Sequence, residues 1–372
     1  MKYYLVAGER SGDLHGGNLL RALGHLDPAL QCRGFGGDEM QAAGMHVTVH
    51  YRDMEMMGFL SLTFHLPRIF RYIDQCQRDL QQFQPDVIVL IDYGGFNMRI
   101  AKFAHQQGFR VFYYIPPKIW AWYQGRARKL HAWVERLFLI LPFETSFYAR
   151  YGLKGDYVGN PVLDAIKTHV WSSDFLERNP LPQHRPIVAL LPGSRRGELK
   201  RIVPVMAELA RLKPHWHFVV AAVRSLPDSC YQSLMGIGNV SFVWEDTYNL
   251  LRHAQAAVVT SGTATLETAL LNVPQVVVYK TGTLEYKIAR SLVQVPFISL
   301  VNLIADQQVV RELIQTDCTP EEIAAEVDRL LNDPPYRSQV LHAYQRIYTL
   351  LDVGSASENT ARLMVKYLAE KA

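Results

Sequence analysis

A strand-length apolar run that breaks abruptly into small residues constrains this chain more than any other stretch. Ala256-Ala257-Val258-Val259 leads into Thr260-Ser261-Gly262-Thr263-Ala264-Thr265, and the helix formers Leu266-Glu267-Thr268-Ala269-Leu270-Leu271 follow. Strand, tight turn and helix start, in that order, belong to α/β architecture. Such a turn leaves backbone N–H groups at the helix N-terminus without intrahelical acceptors, where the dipole also favours negative charge. No side chain wider than Thr blocks an approaching phosphate, and Glu267, one turn further in, can accept bonds from a pair of ribose hydroxyls. The same residues equally suit a well-capped helix that binds nothing, with Ser261 or Thr263 as an ordinary N-cap.

The same rhythm recurs along the chain. Residues 3–7 form a strand-length apolar run, followed by the turn Gly8-Glu9-Arg10-Ser11-Gly12-Asp13 and a helix over 14–23. This is the opening of a doubly wound sheet, although the turn is not GxGxxG. Gly34-Phe35-Gly36-Gly37-Asp38 reads as a second glycine-rich turn before a helix over 39–43. Further strands are expected at 87–91, 111–115 and 137–141. The stretch 157–164 reads as a hinge, and a weakly patterned, polar, Pro-containing segment follows over 167–185. The pattern then restarts, with strands at 187–191, 217–222, 240–243, 256–259 and 275–279. Two Rossmann-like domains are expected, 1–163 and 164–372, the second closing with a helical segment.

Composition sets the outer bounds. At 372 residues the chain is long for one core. It is 49% hydrophobic and 20% charged, ordinary for a globular protein, and a net charge of +4 is too small to argue for nucleic acid. Cys32, Cys76, Cys230 and Cys318 are widely spaced, without metal-ligand pairing, which fits reduced thiols in a cytoplasmic protein. No apolar run approaches the roughly 20 residues that a membrane span needs.

Two strand ends carry candidate chemistry. In parallel α/β sheets ligands bind beyond the strand C-termini. The run at 87–91 ends in Asp92, and Tyr93-Gly94-Gly95-Phe96-Asn97 leaves room around it. The run at 187–191 enters Pro192-Gly193-Ser194-Arg195-Arg196-Gly197-Glu198, where Arg195 can meet a diphosphate through charge-assisted bonds or can be a plain surface arginine. Two such domains facing each other would line a cleft, with a carboxylate opposite a phosphate-binding turn. That pairing suggests group transfer from a nucleotide donor, with Asp92 as general base. No Asp-x-Asp motif stands at a strand end, so a metal-dependent scheme has little support. Pro116-Pro117-Lys118-Ile119-Trp120-Ala121-Trp122 forms a rigid loop after another strand, and its tryptophans suit either a sugar or lipid pocket or a plug in the core.

The ordered motifs resemble those of the lipid-A-disaccharide synthase family, glycosyltransferases of the GT-B class. The matches include Gly8-Glu9-x-Ser11-Gly12-Asp13, Gly36-Gly37-x-x-Met40 with Gly44, Met57-Gly58, and Ile91-Asp92 with Phe96-Asn97. They continue with Trp120-Ala121-Trp122, Leu141-Pro142-Phe143-Glu144 with Tyr148, and Leu190-Leu191-Pro192-Gly193-Ser194-Arg195-x-x-Glu198. Ser261-Gly262-Thr263-Ala264-Thr265-Leu266-Glu267, Asn302-Leu303-Ile304 and Glu312-Leu313-x-Gln315 close the series. Each is weak alone, and their order over nearly the whole chain is specific. The sequence departs from the family pattern at Arg10, Gly94, Pro116, Tyr123 and Asn160, of which Arg10 and Pro116 fall on the acceptor side.

The resemblance implies an α/β GT-B fold and an inverting transfer. UDP-2,3-diacylglucosamine gives its sugar to the 6-hydroxyl of 2,3-diacylglucosamine 1-phosphate, forming a β-1,6 disaccharide and UDP without metal or organic cofactor. It implies Asp92 and Arg195 as catalytic residues. Substrate contacts are implied for Glu9, Ser11, Asp13, Asn97, Trp120, Trp122, Ser194, Ser261, Gly262, Thr263, Thr265, Glu267, Asn302, Glu312 and Gln315. Its partners are the UDP-sugar donor and the acylated glucosamine phosphate acceptor, with peripheral contact at the cytoplasmic face of the inner membrane; a homo-oligomer stays open. Other readings are a UDP-N-acetylglucosamine 2-epimerase on the same architecture or a nucleotide- or lipid-binding relative without catalysis. A nicotinamide oxidoreductase is disfavoured because no GxGxxG follows a strand.

Residues 54–70 carry Met56, Met57, Phe59, Leu60, Leu62, Phe64 and Leu66 ahead of Arg68 and Arg71. They suit either a core helix pair or a landing surface for acyl chains, in which each arginine contributes ~1 kcal/mol on an anionic bilayer. For the landing surface, Phe59→Ser, Leu62→Ser and Phe64→Ser, made singly, should leave the melting temperature unchanged and reduce vesicle flotation. A sharp fall in melting temperature with unaltered flotation would identify core packing.

Overall fold

A computed structural model describes residues 1–55, 62–121, 124–182, 184–293 and 295–370. The chain divides into two units, Met1–Pro161 with Asp352–Ala372, and Val162–Leu351. In the first unit, seven parallel strands are β1 (Lys2–Ala7), β2 (Gln31–Gly36), β3 (His46–His50), β4 (Val87–Ile91), β5 (Val111–Tyr114), β6 (Arg136–Leu139) and β7 (Gly155–Tyr157). Their order is β3-β2-β1-β4-β5-β6-β7, so the winding reverses between β1 and β4. Tyr3 to Ala7 and Val87 to Ile91 are apolar throughout and wholly buried because helices cover both faces of the sheet. At the open side of the reversal, the turn after β1 and the turn after β4 share one sheet edge.

The last helix, Ala356–Ala369, belongs to this unit. Ala356, Ala361, Met364 and Leu368 join the same core as Leu19 and Leu23 of the helix Arg10–Leu26. Arg110 Nη2 donates to the Tyr367 carbonyl at 2.8 Å, and Tyr367 donates its hydroxyl to Asp156 at 3.0 Å. The expectation of one domain over 164–372 therefore differs from the structure at its C-terminal end. The helix's apolar stripe is buried on the first unit rather than the second.

The second unit has six parallel strands: β8 (Ile187–Leu191), β9 (His217–Ala222), β10 (Val240–Trp244), β11 (Ala256–Thr260), β12 (Gln275–Tyr279) and β13 (Glu312–Ile314). Their order is β10-β9-β8-β11-β12-β13, which places the reversal between β8 and β11. Leu191, Val219, Val259 and Val273 fill the core, and Phe175 closes it from the linking segment, stacked on His253 at 5.1 Å between ring centroids.

Gly34–Gly36, expected to open a turn over 34–38, instead end the strand Gln31–Gly36: Gln31 to Phe35 pair with β1 and Gly36 with β3. Of the segment 54–70, residues 56–61 lie outside the described residues, and the helix Leu62–Phe83 starts within the remainder. No described helix is long and apolar enough to cross a membrane.

Met364→Ala removes a wholly buried side chain of the C-terminal helix and should cost about 2–5 kcal/mol. Hydrogen exchange should show protection lost in β1–β7 and kept in β8–β13. Loss confined to β8–β13 would contradict the placement of this helix.

Candidate active site

In the first unit, the turn after β4 carries the most constrained backbone. Asp92 and Tyr93 both adopt left-handed conformations, each with φ of 47°. Two consecutive non-glycine residues there cost about 1–3 kcal/mol each and persist only where their surroundings over-determine them. The enforcement falls on one atom: the Asp92 carbonyl accepts from Asn97 Nδ2 at 2.9 Å and from the Tyr113 hydroxyl at 2.6 Å. Asn97 also donates to the Ile91 carbonyl at 3.1 Å, tying the turn to the strand before it. Asp92 is partly buried, and burial raises its carboxyl above the ordinary range. The Lys118 charge and the Tyr93 backbone N–H pull it back down. Glu9 and Ser11, exposed after β1, sit at the same reversal.

Several residues expected to touch substrate hold this edge together. Asp13 is buried, and its carboxylate accepts from Gly37 N at 2.7 Å, Glu39 N at 3.0 Å and Met40 N at 3.1 Å. It fixes the turn after β2 and caps the helix that follows. Asn97 is wholly buried and acts through Asp92. Trp120 is buried, and its indole N–H is committed to Glu144 Oε1 at 2.8 Å, so this tryptophan plugs the core. Trp122 lies outside the described residues.

In the second unit, the reversal brings together the turns after β8 and β11. Gly193, with φ of +102°, makes the first turn, and a Cβ there would lie 2.5 Å from Glu198 Oε2. Ser194 and Arg195 are exposed, and Arg195 is the N-cap of the helix Arg196–Leu212. Its side chain is 82% exposed, which leaves room to meet an anion, and its guanidinium lies 3.6 Å from Glu198. Gly262 and Thr263 are likewise exposed at the start of the helix Thr263–Leu270, where Thr265 N donates to the Gly262 carbonyl at 3.2 Å and the N–H groups of Thr263 and Ala264 precede any intrahelical acceptor. Ser261 donates its hydroxyl to the Ile298 carbonyl at 2.9 Å. Glu267 accepts from the Tyr248 hydroxyl at 3.0 Å; burial raises its carboxyl, and the tyrosine bond opposes the rise.

Thr265, Asn302, Glu312 and Gln315, expected as substrate contacts, each carry hydrogen bonds within the unit. Thr265 is wholly buried and donates to the Gly262 carbonyl at 2.8 Å. Asn302, also wholly buried, accepts from Val309 N and Val310 N and donates to Val310 O and Glu312 Oε1, all within 2.8–2.9 Å. Glu312 accepts from Ile298 N and Ser299 N at 2.9 Å each, which sets the loop that receives Ser261. Gln315 clasps Thr281, accepting from its N–H at 2.8 Å and donating to its carbonyl at 3.2 Å. Sequence reasoning missed Tyr113, Tyr248 and the anchoring of Trp120 by Glu144. Nothing local marks the two tyrosines, whereas Glu144 was visible within a matching motif.

The arrangement in each unit can do one thing well. The first presents a carboxylate of raised basicity on a rigid turn, and the second presents a cation and unpaired N–H groups at helix starts. A family model described as lipid-A-disaccharide synthetase matches residues 3–365. The chain is 36% identical to a lipid-A-disaccharide synthase of Geobacter metallireducens, over 99% of this chain and 97% of the relative. The fold is similar to a UDP-GlcNAc 2-epimerase from Neisseria meningitidis solved with UDP-GlcNAc, with a TM-score of 0.67 at 15% identity over all of both chains. It is also similar to a calicheamicin glycosyltransferase, with a TM-score of 0.63 at 16% identity, over 100% of this chain and 99% of that one. Likeness at such identities shows the fold, two Rossmann-like domains of GT-B type, and no more.

Asn302→Ala would leave the Val309 and Val310 N–H groups without their acceptor. Each buried unsatisfied group costs about 1–3 kcal/mol, so a drop of several degrees in the unfolding temperature is expected. An unchanged temperature, with donor binding lost, would restore Asn302 to direct ligand contact.

Proposed function

Since the chain belongs to the lipid-A-disaccharide synthase family, whose members are hexosyltransferases of lipid A biosynthesis, we propose that its two units divide one inverting sugar transfer between them. The second unit holds the UDP part of UDP-2,3-diacylglucosamine. Arg195 and the first-turn N–H groups at Thr263 meet the diphosphate, and Glu267 meets the ribose. The first unit receives 2,3-diacylglucosamine 1-phosphate and places its 6-hydroxyl at Asp92. The hydroxyl oxygen bonds to the anomeric carbon as the bond to the UDP oxygen breaks. The hydroxyl proton passes to the Asp92 carboxylate, and the electron pair leaves with UDP, whose added charge Arg195 and the amides stabilise. Attack on the face opposite the leaving group gives the β-1,6 linkage. Asp92 is recharged by losing its proton to water.

The observation that carries this reading is the strained, doubly clamped Asp92 turn at the sheet reversal. Strain of that kind persists where a side chain must be held for chemistry. Family membership favours the transferase over the epimerase reading. Both substrates carry two acyl chains and partition into bilayers. The enzyme therefore works peripherally, at the cytoplasmic face of the inner membrane.

Asp92→Asn should lower the rate of UDP release by about 10²–10⁴-fold with the fold intact. A wild-type rate would remove Asp92 from the mechanism. The raised carboxyl means that Asp92 holds its proton to higher pH than an ordinary aspartate. The acidic limb of kcat/KM should accordingly lie above the ordinary carboxylate range, with activity lost as pH falls through it. Glu267→Ala should weaken UDP binding in calorimetry, and unchanged affinity would refute the ribose contact.

A further inference from the structure

We propose that Glu144 is a positioning residue for Asp92, a buried carboxylate that holds the loop after β5 against the Asp92 turn. The inference rests on the reading of Asp92 as the base. Glu144 opens the helix Glu144–Ala149 just beyond β6, on the same sheet edge as Asp92. It is buried, and both of its oxygens are engaged. Oε1 accepts from the Trp120 indole at 2.8 Å, and Oε2 accepts from the Leu141 N–H at 3.0 Å. The Trp120 ring stands edge-on to Phe143 at 4.9 Å. A second tie comes from the same helix: Tyr148 donates its hydroxyl to the Pro117 carbonyl at 3.0 Å. The loop is thus pinned on both sides of Lys118.

The pinned loop meets the Asp92 turn directly. A Cβ at Gly94, two residues after Asp92, would lie 2.8 Å from Pro117 Cγ, so the missing side chain is what lets the loop seat there. The loop does not hold this path by its own preference. Ile115, at its start, is β-branched and left-handed, with φ of 59°. An outlier of this kind persists only where its surroundings over-determine it, and Glu144 and Tyr148 supply ties of that sort. Lys118 is exposed on the loop, and its charge opposes the effect of burial on Asp92. Trp120, the Leu141 and Ile140 N–H groups, Lys118 and Tyr148 are polar or charged groups facing Glu144. Burial pushes its carboxyl up to about 7 against the pull of those donors.

Two donors converge on Glu144, so its amide isostere must turn an NH₂ toward one of them. In Glu144→Gln we expect kcat to fall roughly 10- to 100-fold, with UDP affinity by calorimetry unchanged. Freeing the loop takes Lys118 away from Asp92, so the acidic limb of kcat/KM should move to higher pH. Glu144→Asp keeps both acceptors and should recover part of kcat and most of the limb position. Should Glu144→Gln fail to fold, Trp120→Phe removes the same bond while keeping an aromatic ring there and should move the limb the same way. A wild-type kcat in Glu144→Gln would overturn the proposal. An unmoved limb, with activity loss that merely tracks a lower melting temperature, would overturn it too. Asp92→Asn, run alongside, separates the two levels. If that variant is inactive while Glu144→Gln behaves as wild type, only the role of Glu144 falls. If Asp92→Asn keeps the wild-type rate, the reading of the base falls with it.

Discussion

Two hydrogen bonds to a single carbonyl oxygen, that of Asp92, are what the sheet edge at the β1/β4 reversal of the first unit depends on. Asn97 and Tyr113 come from different elements, the helix Gly94–Gln106 and β5, and both donate to it. Without them the Asp92–Tyr93 backbone would relax out of the left-handed region, and the turn would no longer present its side chain at the reversal between β1 and β4. The neighbouring loop is fitted to the same turn, with Pro117 seated over Gly94. The proposed role of Asp92 as general base asks for rigidity as well as basicity. Here the rigidity comes from backbone clamping, and the raised basicity from partial burial.

A second theme runs through both units. Buried and half-buried carboxylates are spent on backbone N–H groups in the loops between elements. Asp13 gathers three N–H groups after β2, Glu144 takes one beside β6 together with an indole, and Glu312 takes two in the loop before the helix Leu300–Ala305. Loops at the ligand-binding edge of a parallel sheet carry unpaired N–H groups, and burying them unsatisfied is costly. A carboxylate, which accepts at two oxygens, satisfies several at once and fixes the loop's path.

This economy explains which parts of the site could be read beforehand. Asp92 and Arg195 were legible because each follows a continuous apolar strand, and position beyond such a strand is itself the signal. Asp13, Asn302 and Glu312 stand at equally suggestive positions, yet a polar residue near a turn looks the same whether it faces a ligand or a neighbouring N–H. Only tertiary burial separates the cases. The strands β1, β4, β8 and β11 were legible for the same reason as Asp92, being unbroken apolar runs. Strand β2, with Gly34, Gly36 and Arg33, lacks that signature and forms because β1 offers it a partner. The apolar stripe of the C-terminal helix could be read from its spacing, but nothing in the stripe says which unit it covers.

The central claim is that this chain joins two acylated glucosamine units with inversion, and product analysis tests it most directly. Purified protein would be incubated with UDP-2,3-diacylglucosamine and 2,3-diacylglucosamine 1-phosphate, and the products examined by mass spectrometry and by NMR of the new anomeric centre. The account predicts a β-1,6-linked disaccharide 1-phosphate with UDP released in equal amount. An α linkage, or a sugar epimerised at C2 with no disaccharide formed, would contradict it.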